Sequence, residues 1–201
     1  MPITPDEFRQ RLLTNNPDNI VDELILCDGA THVQNTDIDR IKKTLAEKFG
    51  IQATEINLWI VGSAKLGFSI HRKITHDGSI YPRYRPFGVN SDIDVAVVST
   101  PIFEQIWANL SLHAHSHTYL PWNSGRLGDY LICGWWRPDH FPMGFRLSKC
   151  DDWRDCFYML SRDYRYGRKK VRGGLFYSID HLRQYLRRDV IDCMKEEELS
   201  I

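Results

Sequence analysis

The sequence lacks an apolar run long enough to cross a bilayer, a disulfide framework and an excess of either charge. Its five cysteines include no C-x-x-C pair, and their odd number indicates reduced thiols rather than a set of disulfides. The opening residues, Met1 to Glu7, have no signal-peptide pattern. These absences argue against a membrane partner and predict a cytoplasmic protein.

The charge is balanced overall but unevenly placed along the 201 residues. Residues 1–60 carry ten acids and six bases, whereas residues 146–188 carry twelve Lys or Arg and five Asp. A basic C-terminal quarter is suited to a polyanion such as a nucleotide or a nucleic acid strand, although a solvated helical surface has the same composition. With 42% hydrophobic residues, the chain can build one domain, or a core domain with a small appendage.

Two carboxylates stand at the start of the apolar, β-branched run from Ser91 to Ser99. The run predicts a buried strand, and residues two apart on a strand share a face, so Asp92 and Asp94 are expected to project together. Like charges this close repel unless a cation lies between them, and carboxylate oxygens favour Mg²⁺ or Mn²⁺. The alternative is a solvated strand mouth in which Asp92 caps a turn.

A second apolar run, Leu58 to Val61, ends in Gly62-Ser63. A glycine at a strand end lets backbone N–H groups approach a phosphate closely, and the serine hydroxyl adds a donor. The pair therefore indicates a phosphate-binding turn, while an ordinary strand-to-helix turn would also suit these residues.

In this order, the strand ending in Gly62-Ser63 and the strand beginning Asp92-Ile93-Asp94 resemble the DNA polymerase beta-like nucleotidyltransferase superfamily. The resemblance covers about residues 56 to 99. It implies that Gly62 and Ser63 hold the triphosphate of a nucleoside triphosphate such as ATP, and that Asp92 and Asp94 bind two Mg²⁺ or Mn²⁺ ions. It also implies the small mixed sheet of that superfamily.

The spacer between the two motifs, residues 64–91, is longer than the short helix usual in the superfamily. The excess falls in residues 71–86, which are rich in turn formers and basic side chains. This composition predicts a surface insertion beside an anionic ligand. The interpretation depends on the insertion leaving the two motifs adjacent in space.

A third strand is predicted from Asp129 to Asp139, because an apolar stretch lies between glycines and Pro138. Two-metal phosphoryl transfer uses a further carboxylate, and the candidates are Asp139 at the strand exit and Asp129 at its entrance. We favour Asp139 as a catalytic and metal-binding residue, since the adjacent Arg137 would suit a phosphate. A plain Pro-Asp turn is the alternative. Lys65, just after the Gly-Ser turn, is a further candidate phosphate ligand.

The remaining pattern is helical, so the predicted fold class is α+β: a small mixed sheet with flanking helices and a helical C-terminal appendage. Helices are predicted to begin at Thr4, Thr36, near Pro101 and at Ser178. The domain prediction is a core over residues 1–145 and a basic helical appendage over 146–201, or one continuous domain.

Two segments of the C-terminal region carry further predictions. The glycine-rich basic residues 165–174 are expected to form a flexible cationic loop, with 165–172 able to contact a triphosphate, a nucleic acid or a protein acceptor, although a plain solvated linker is equally expected. The last helix is expected to end near Met194, with residues 195–198 as a frayed tail.

Three histidines alternate at His113, His115 and His117. On a strand they would share one face and could bind a transition metal, but on a helix they diverge. Because the preceding pattern is helical, we expect a solvated helix end.

The resulting functional hypothesis is a metal-dependent enzyme that moves a nucleoside monophosphate from an NTP to a hydroxyl of a nucleic acid end, a protein or a small molecule. By resemblance, small members of the superfamily act in toxin–antitoxin or phage-defence systems, which adds a partner protein to the expectations. The alternative is a non-catalytic module of the same fold that binds a nucleotide or nucleic acid.

Overall fold

The computed structural model describes residues 3–75, 77–145 and 147–199. His76 of the predicted insertion and Arg146 at the predicted domain boundary lie outside these ranges. The helices are α1 (Pro5–Thr14), α2 (Pro17–Ile20), α3 (Asn35–Phe49), α4 (Gly62–Leu66), α5 (Thr100–Ser116), α6 (Ser124–Ile132), α7 (Ser148–Arg162) and α8 (Ile179–Glu198). The strands are β1 (Asn57–Val61), β2 (Lys73–Ile74), β3 (Ile80–Tyr81), β4 (Ile93–Val98), β5 (Trp135–Trp136) and β6 (Val171–Phe176). A π-helical turn, Val21–Ile25, continues α2.

Four strands form one mixed sheet in the order β1-β4-β6-β5. β1 runs antiparallel to β4, β4 runs parallel to β6, and β5 runs antiparallel to β6. The short strands β2 and β3 form a separate antiparallel hairpin. The predicted mixed α+β class with a small mixed sheet is confirmed.

The central strand β4 separates two hydrophobic clusters. Ile93, Val95 and Val97 pack into the cluster that contains α3, α5 and α7, while Ala96 and Val98 pack into the cluster that contains α1 and α8. Because side chains alternate along a strand, Asp94 lies on the same face as Ala96. The candidate site is therefore on the α8 side of the sheet.

Local capping chemistry explains why the predicted helices begin and end where they do. Thr4 and Glu7 form a capping box at the start of α1, and the Ser178 side chain accepts the backbone N–H of His181 at the start of α8. Gly50 ends α3 with a φ of +65°, a left-handed conformation that glycine adopts without a Cβ penalty. The predicted starts of these helices are confirmed to within one residue.

Two predictions of local structure are wrong. Residues 129–132 belong to helix α6, so the predicted third strand is reduced to the two residues of β5. The predicted flexible loop over residues 165–174 overlaps strand β6, Val171–Phe176, which lies between β4 and β5. The sheet therefore takes strands from both sides of residue 145.

The predicted frayed tail is also wrong, because α8 continues to Glu198. Glu197 is only 3% exposed and accepts hydrogen bonds from Arg9 (2.5 Å) and Tyr84 (2.7 Å). The Arg83 guanidinium lies 2.9 Å from the same carboxylate. These contacts tie α1 and the loop after β3 to the end of α8.

The histidines lie at the end of α5, as expected, but His113 is buried rather than solvated. His113 and His115 are in the last turn, and His117 is the C-cap residue. The His113 and His117 rings stack with centroids 4.1 Å apart. Within the described ranges, no helix is long and apolar enough to span a bilayer.

Candidate nucleotide and metal site

The two sequence motifs meet where β1 pairs with β4. Their antiparallel register places Val61 opposite Asp94, so Gly62, the next residue along the chain, lies beside the Asp94 carboxylate. A Cβ added to Gly62 would lie 3.3 Å from Asp94 Oδ2, and the φ of Gly62 is +63°. Both the close approach and the left-handed backbone call for glycine at this position. The insertion between the motifs does not separate them.

Of the two aspartates, Asp94 lies in the less favourable environment for a negative charge. Burial, and next the negative charge of Asp92, raise the pKa of the Asp94 carboxyl above its usual value, and the positive charges of Arg172, Arg137 and Lys73 offset part of that effect. Within the described part of the chain, no side chain donates a hydrogen bond to the Asp94 carboxylate. A partly buried carboxylate without a direct partner is a group that a bound cation would stabilise.

Asp92 is engaged differently. Arg172 Nε, from β6, lies 3.0 Å from Asp92 Oδ2, and both side chains are about one-third exposed. The parallel register of β4 and β6, which places Arg172 opposite Asp94, brings this guanidinium to the mouth of the site. Arg172 therefore neutralises part of the acidic pair in the absence of a ligand.

A cavity of about 370 Å³ opens over this part of the sheet, between the strands and α8. Its floor includes Ala96 and Gly174, which are small and leave space above the sheet. Gly62 and Asp94 lie in its wall together with four cationic or titratable side chains: Arg126, Arg137, His140 and Arg172. A concave site that brings the Asp94 carboxylate near several guanidinium groups is suited to a metal-bound polyanion.

Ser63 and Lys65 are less direct parts of the site. Ser63 is half-buried next to Gly62 but does not line the cavity. Lys65 is 7% exposed, and its ammonium donates hydrogen bonds to the carbonyl oxygens of Cys27 (2.5 Å) and Gly29. Because its ammonium is bonded to these carbonyls, Lys65 holds the loop after the π-helical turn, and it does not line the cavity.

Arg137 lies in the cavity wall, as the prediction for a phosphate ligand requires. Its Nε and Nη2 donate hydrogen bonds to the two carboxylate oxygens of Asp139, at 2.9 and 2.8 Å. Burial alone would raise the pKa of Asp139, but these hydrogen bonds and the Arg137 charge outweigh burial and lower it. Asp139 therefore orients Arg137 and does not line the cavity itself.

Neither candidate for the third carboxylate joins the aspartate pair. Asp139 is paired with Arg137, and Asp129 is an exposed residue of α6. In the described ranges, no group of three or more His, Cys, Asp or Glu side chains converges in a way that could hold a metal ion. The donor set at the site is thus two carboxylates.

Sequence reasoning missed the contribution of α8. Tyr185 and Asp189 line the cavity, one helical turn apart, and His71 lines it from the insertion. Burial raises the pKa of Asp189, and the nearby His71 partly offsets that rise. Burial raises the pKa of Tyr185 to about 12. The four-residue spacing of Tyr185 and Asp189 on an amphipathic helix was the available signal in the sequence. No neighbouring residue, however, indicates that this face of the helix packs near β4.

Two carboxylates are a sufficient protein contribution for one Mg²⁺ or Mn²⁺ ion. Magnesium commonly uses one or two carboxylates and completes its octahedral shell with waters and substrate phosphates. The unpartnered Asp94 carboxylate and the cationic wall fit such an ion when it arrives bound to a nucleotide. The residues present therefore fit a metal–nucleotide complex better than a metal held by the protein alone.

Comparisons with protein-family profiles, with curated proteins and with solved structures yield no significant match.

Proposed function

We propose that the chain is a metal-dependent nucleotidyltransferase, which moves a nucleoside monophosphate from an NTP to a hydroxyl acceptor and releases pyrophosphate. The observation that carries the proposal is the contact between Gly62 and the unpartnered Asp94 carboxylate in one cation-lined cavity. A turn that accommodates phosphate and a carboxylate suited to Mg²⁺ are the two components such a reaction needs at one point.

Each residue of the candidate site has a separate task in this proposal. The backbone N–H of Gly62 binds the phosphates, and the hydroxyl of Ser63 supplements it as a second donor. Asp92 and Asp94 hold Mg²⁺ or Mn²⁺, which neutralises phosphate charge and lowers the pKa of the attacking hydroxyl. Arg137, oriented by Asp139, stabilises the negative charge that develops on the leaving pyrophosphate.

Arg172 links the free and bound states. In the free chain its guanidinium is paired with Asp92. A bound nucleotide with its cation would offer both groups a new partner: Asp92 would help to hold the cation, and Arg172 would pair with a phosphate oxygen. This exchange of partners keeps every charge compensated, because neither Asp92 nor Arg172 is left alone.

The acceptor is a nucleic acid end, a protein side chain or a small molecule, and the basic segment 165–172 is the surface that would meet a polyanionic acceptor. Part of that segment is already engaged, since Lys169 Nζ donates to the Gly88 carbonyl at 2.5 Å and Arg172 pairs with Asp92. Arg168 is exposed and has a left-handed φ of 55°. A role in a toxin–antitoxin or defence system, with a partner protein, belongs to the same proposal.

One observation favours a second candidate function, a nucleotide-binding module without turnover. The aspartate pair has no third carboxylate beside it within the described residues, and Asp92 is held by Arg172. A site of this kind could bind a nucleotide and lack the base that activates the acceptor.

The first test is metal-dependent nucleotide binding measured by calorimetry, with a non-hydrolysable NTP analogue in the presence and absence of Mg²⁺. We expect Mg²⁺ to strengthen binding to the wild type and to have no effect on Asp94→Asn. The matched control is Asp180→Asn, because the side chain of Asp180 is 84% exposed at the start of α8, away from the cavity. Binding that is unchanged in Asp94→Asn would contradict the proposal.

A further inference from the structure

A second cavity adjoins the first. It has a volume of about 260 Å³ and lies beside the start of α6. Four residues line both cavities: Arg126, Tyr130, Arg137 and His140. Because these side chains border both, the two cavities adjoin at one shared wall, and we call the new one the outer cavity.

The outer cavity differs in chemistry from the inner one. Beyond the shared residues, its lining is mainly apolar and includes Trp122, Leu127 and Phe141. The Trp122 and Phe141 rings meet edge to face, with centroids 5.9 Å apart, and both pack against the core cluster on the α5 side of the sheet. Their positions are therefore set by packing before any ligand arrives.

We propose that the outer cavity binds the nucleobase of the nucleoside triphosphate whose phosphates occupy the inner cavity. This inference rests on the proposed function. A nucleoside triphosphate is flat and aromatic at one end and polyanionic at the other, and the joined cavities present aromatic side chains at one end and the site of Gly62 and Asp94 at the other.

The side chains of the shared wall suit the middle of a nucleoside triphosphate, between its aromatic end and its polyanionic end. Arg126 Nε donates a hydrogen bond to Tyr130 Oη at 2.6 Å, and its guanidinium lies 5.4 Å from the centre of the Tyr130 ring. Arg137 is fixed on the same wall by Asp139. Positive charge at the junction attracts the phosphates, while the ring of Tyr130 continues the aromatic surface outward.

The size of the outer cavity argues for a single ring system rather than a polymer. A nucleic acid strand is bound along an extended groove with successive stacking side chains. The outer cavity is compact, and its aromatic residues come from two short segments, the start of α6 with the residue before its cap and the turn after β5.

The test compares ligands with and without a base. Calorimetry measures the affinity of the wild type and of Trp122→Leu for a non-hydrolysable ATP analogue and for inorganic triphosphate, each with Mg²⁺. Loss of base stacking is expected to weaken ATP-analogue binding by about 10- to 100-fold and to leave triphosphate binding unchanged. Trp122→Phe, which keeps an aromatic ring, is expected to retain most of the affinity.

The matched control is Trp107→Leu, because Trp107 is 49% exposed on α5 and lines neither cavity. If Trp122→Leu does not fold, as judged by its thermal transition, Phe141→Leu provides the same comparison, because Phe141 lines the outer cavity and not the inner one. Equal loss of both ligands, or no loss of either, would overturn the nucleobase assignment while nucleotide binding by the wild type still supports the proposed function. Failure of the wild type to bind either ligand would overturn both.

Discussion

Gly62→Ala perturbs the point where the two motifs meet, and its cost can be worked out from the backbone. The φ of Gly62 is +63°, and a non-glycine residue in the left-handed region costs about 1–2 kcal/mol. For a chain of this size that amounts to a fall of roughly 2–8 °C in Tm. The added methyl would also lie 3.3 Å from Asp94 Oδ2, where a metal-bound phosphate must approach. We expect the loss of stability and at least a tenfold loss of affinity for an NTP analogue with Mg²⁺.

Gly50→Ala is the matched control for this substitution. Gly50 has nearly the same φ, +65°, and a Cβ added there meets no atom within 4 Å. Both variants should therefore lose similar stability in thermal melts, while calorimetry should show weakened nucleotide binding in Gly62→Ala alone. If both variants bind the analogue as tightly as the wild type, the assignment of Gly62 to the phosphate site is refuted.

Two further predictions concern the packing that supports the site. Gly173→Ala would place a Cβ 2.2 Å from Phe157 Cζ and should destabilise the fold by about 3 kcal/mol, as measured by urea titration. In the control Gly174→Ala, the nearest atom to the added Cβ lies 3.4 Å away, so this variant should be nearly neutral. Equal effects of the two substitutions would contradict the packing argument. Burial would raise the pKa of Glu197, but its hydrogen bonds from Tyr84 and Arg9 and the Arg83 charge lower it, so its stabilisation is present at neutral pH and is lost as pH falls below about 4.5. Glu197→Gln should thus lower the free energy of unfolding by about 2–4 kcal/mol at pH 7. Urea titrations should show a smaller loss in acid than at pH 7, and a loss independent of pH would contradict this account.

The parts of the fold that could be predicted from the sequence have short, local causes. The β-branched run of β4 and the left-handed glycine after α3 produced correct elements because each is decided by neighbouring residues. The adjacency of Gly62 and Asp94 follows from two such strands pairing, although their register depends on the folded sheet.

The errors arose where tertiary packing decides the outcome. Glycines at 173 and 174 suggested flexibility, but Gly173 is required because Phe157 and Trp153 occupy the space that a Cβ would need. Gly125 and Gly128 suggested a break before a strand, yet both lie within α6. In these cases glycine marks close packing or is tolerated in a helix, and only long-range contacts reveal which.

The same reasoning explains which site residues were misplaced. Lys65 follows the Gly62-Ser63 turn in sequence, but the direction of α4 carries its ammonium to the carbonyls of Cys27 and Gly29. Asp189 is distant from Asp94 in sequence and enters the cavity because α8 packs across the sheet. The sequence therefore indicated the candidate-site residues at the strand ends, but it did not indicate those that helix packing brings to the cavity.

Transfer of labelled nucleotide tests the central claim most directly. The wild type, the double variant Asp92→Ala/Asp94→Ala and the control Asp180→Asn are each incubated with NTPs labelled on the α-phosphate or on the γ-phosphate, with Mg²⁺ or Mn²⁺ and a cell extract that contains RNA and protein. A nucleotidyltransferase places the α-label on one class of acceptor and leaves the γ-label in pyrophosphate, with the wild type and the control but not with the double variant. Transfer of the γ-label, or no transfer by a wild type that binds the nucleotide, would contradict the account, and the second result would favour the binding module.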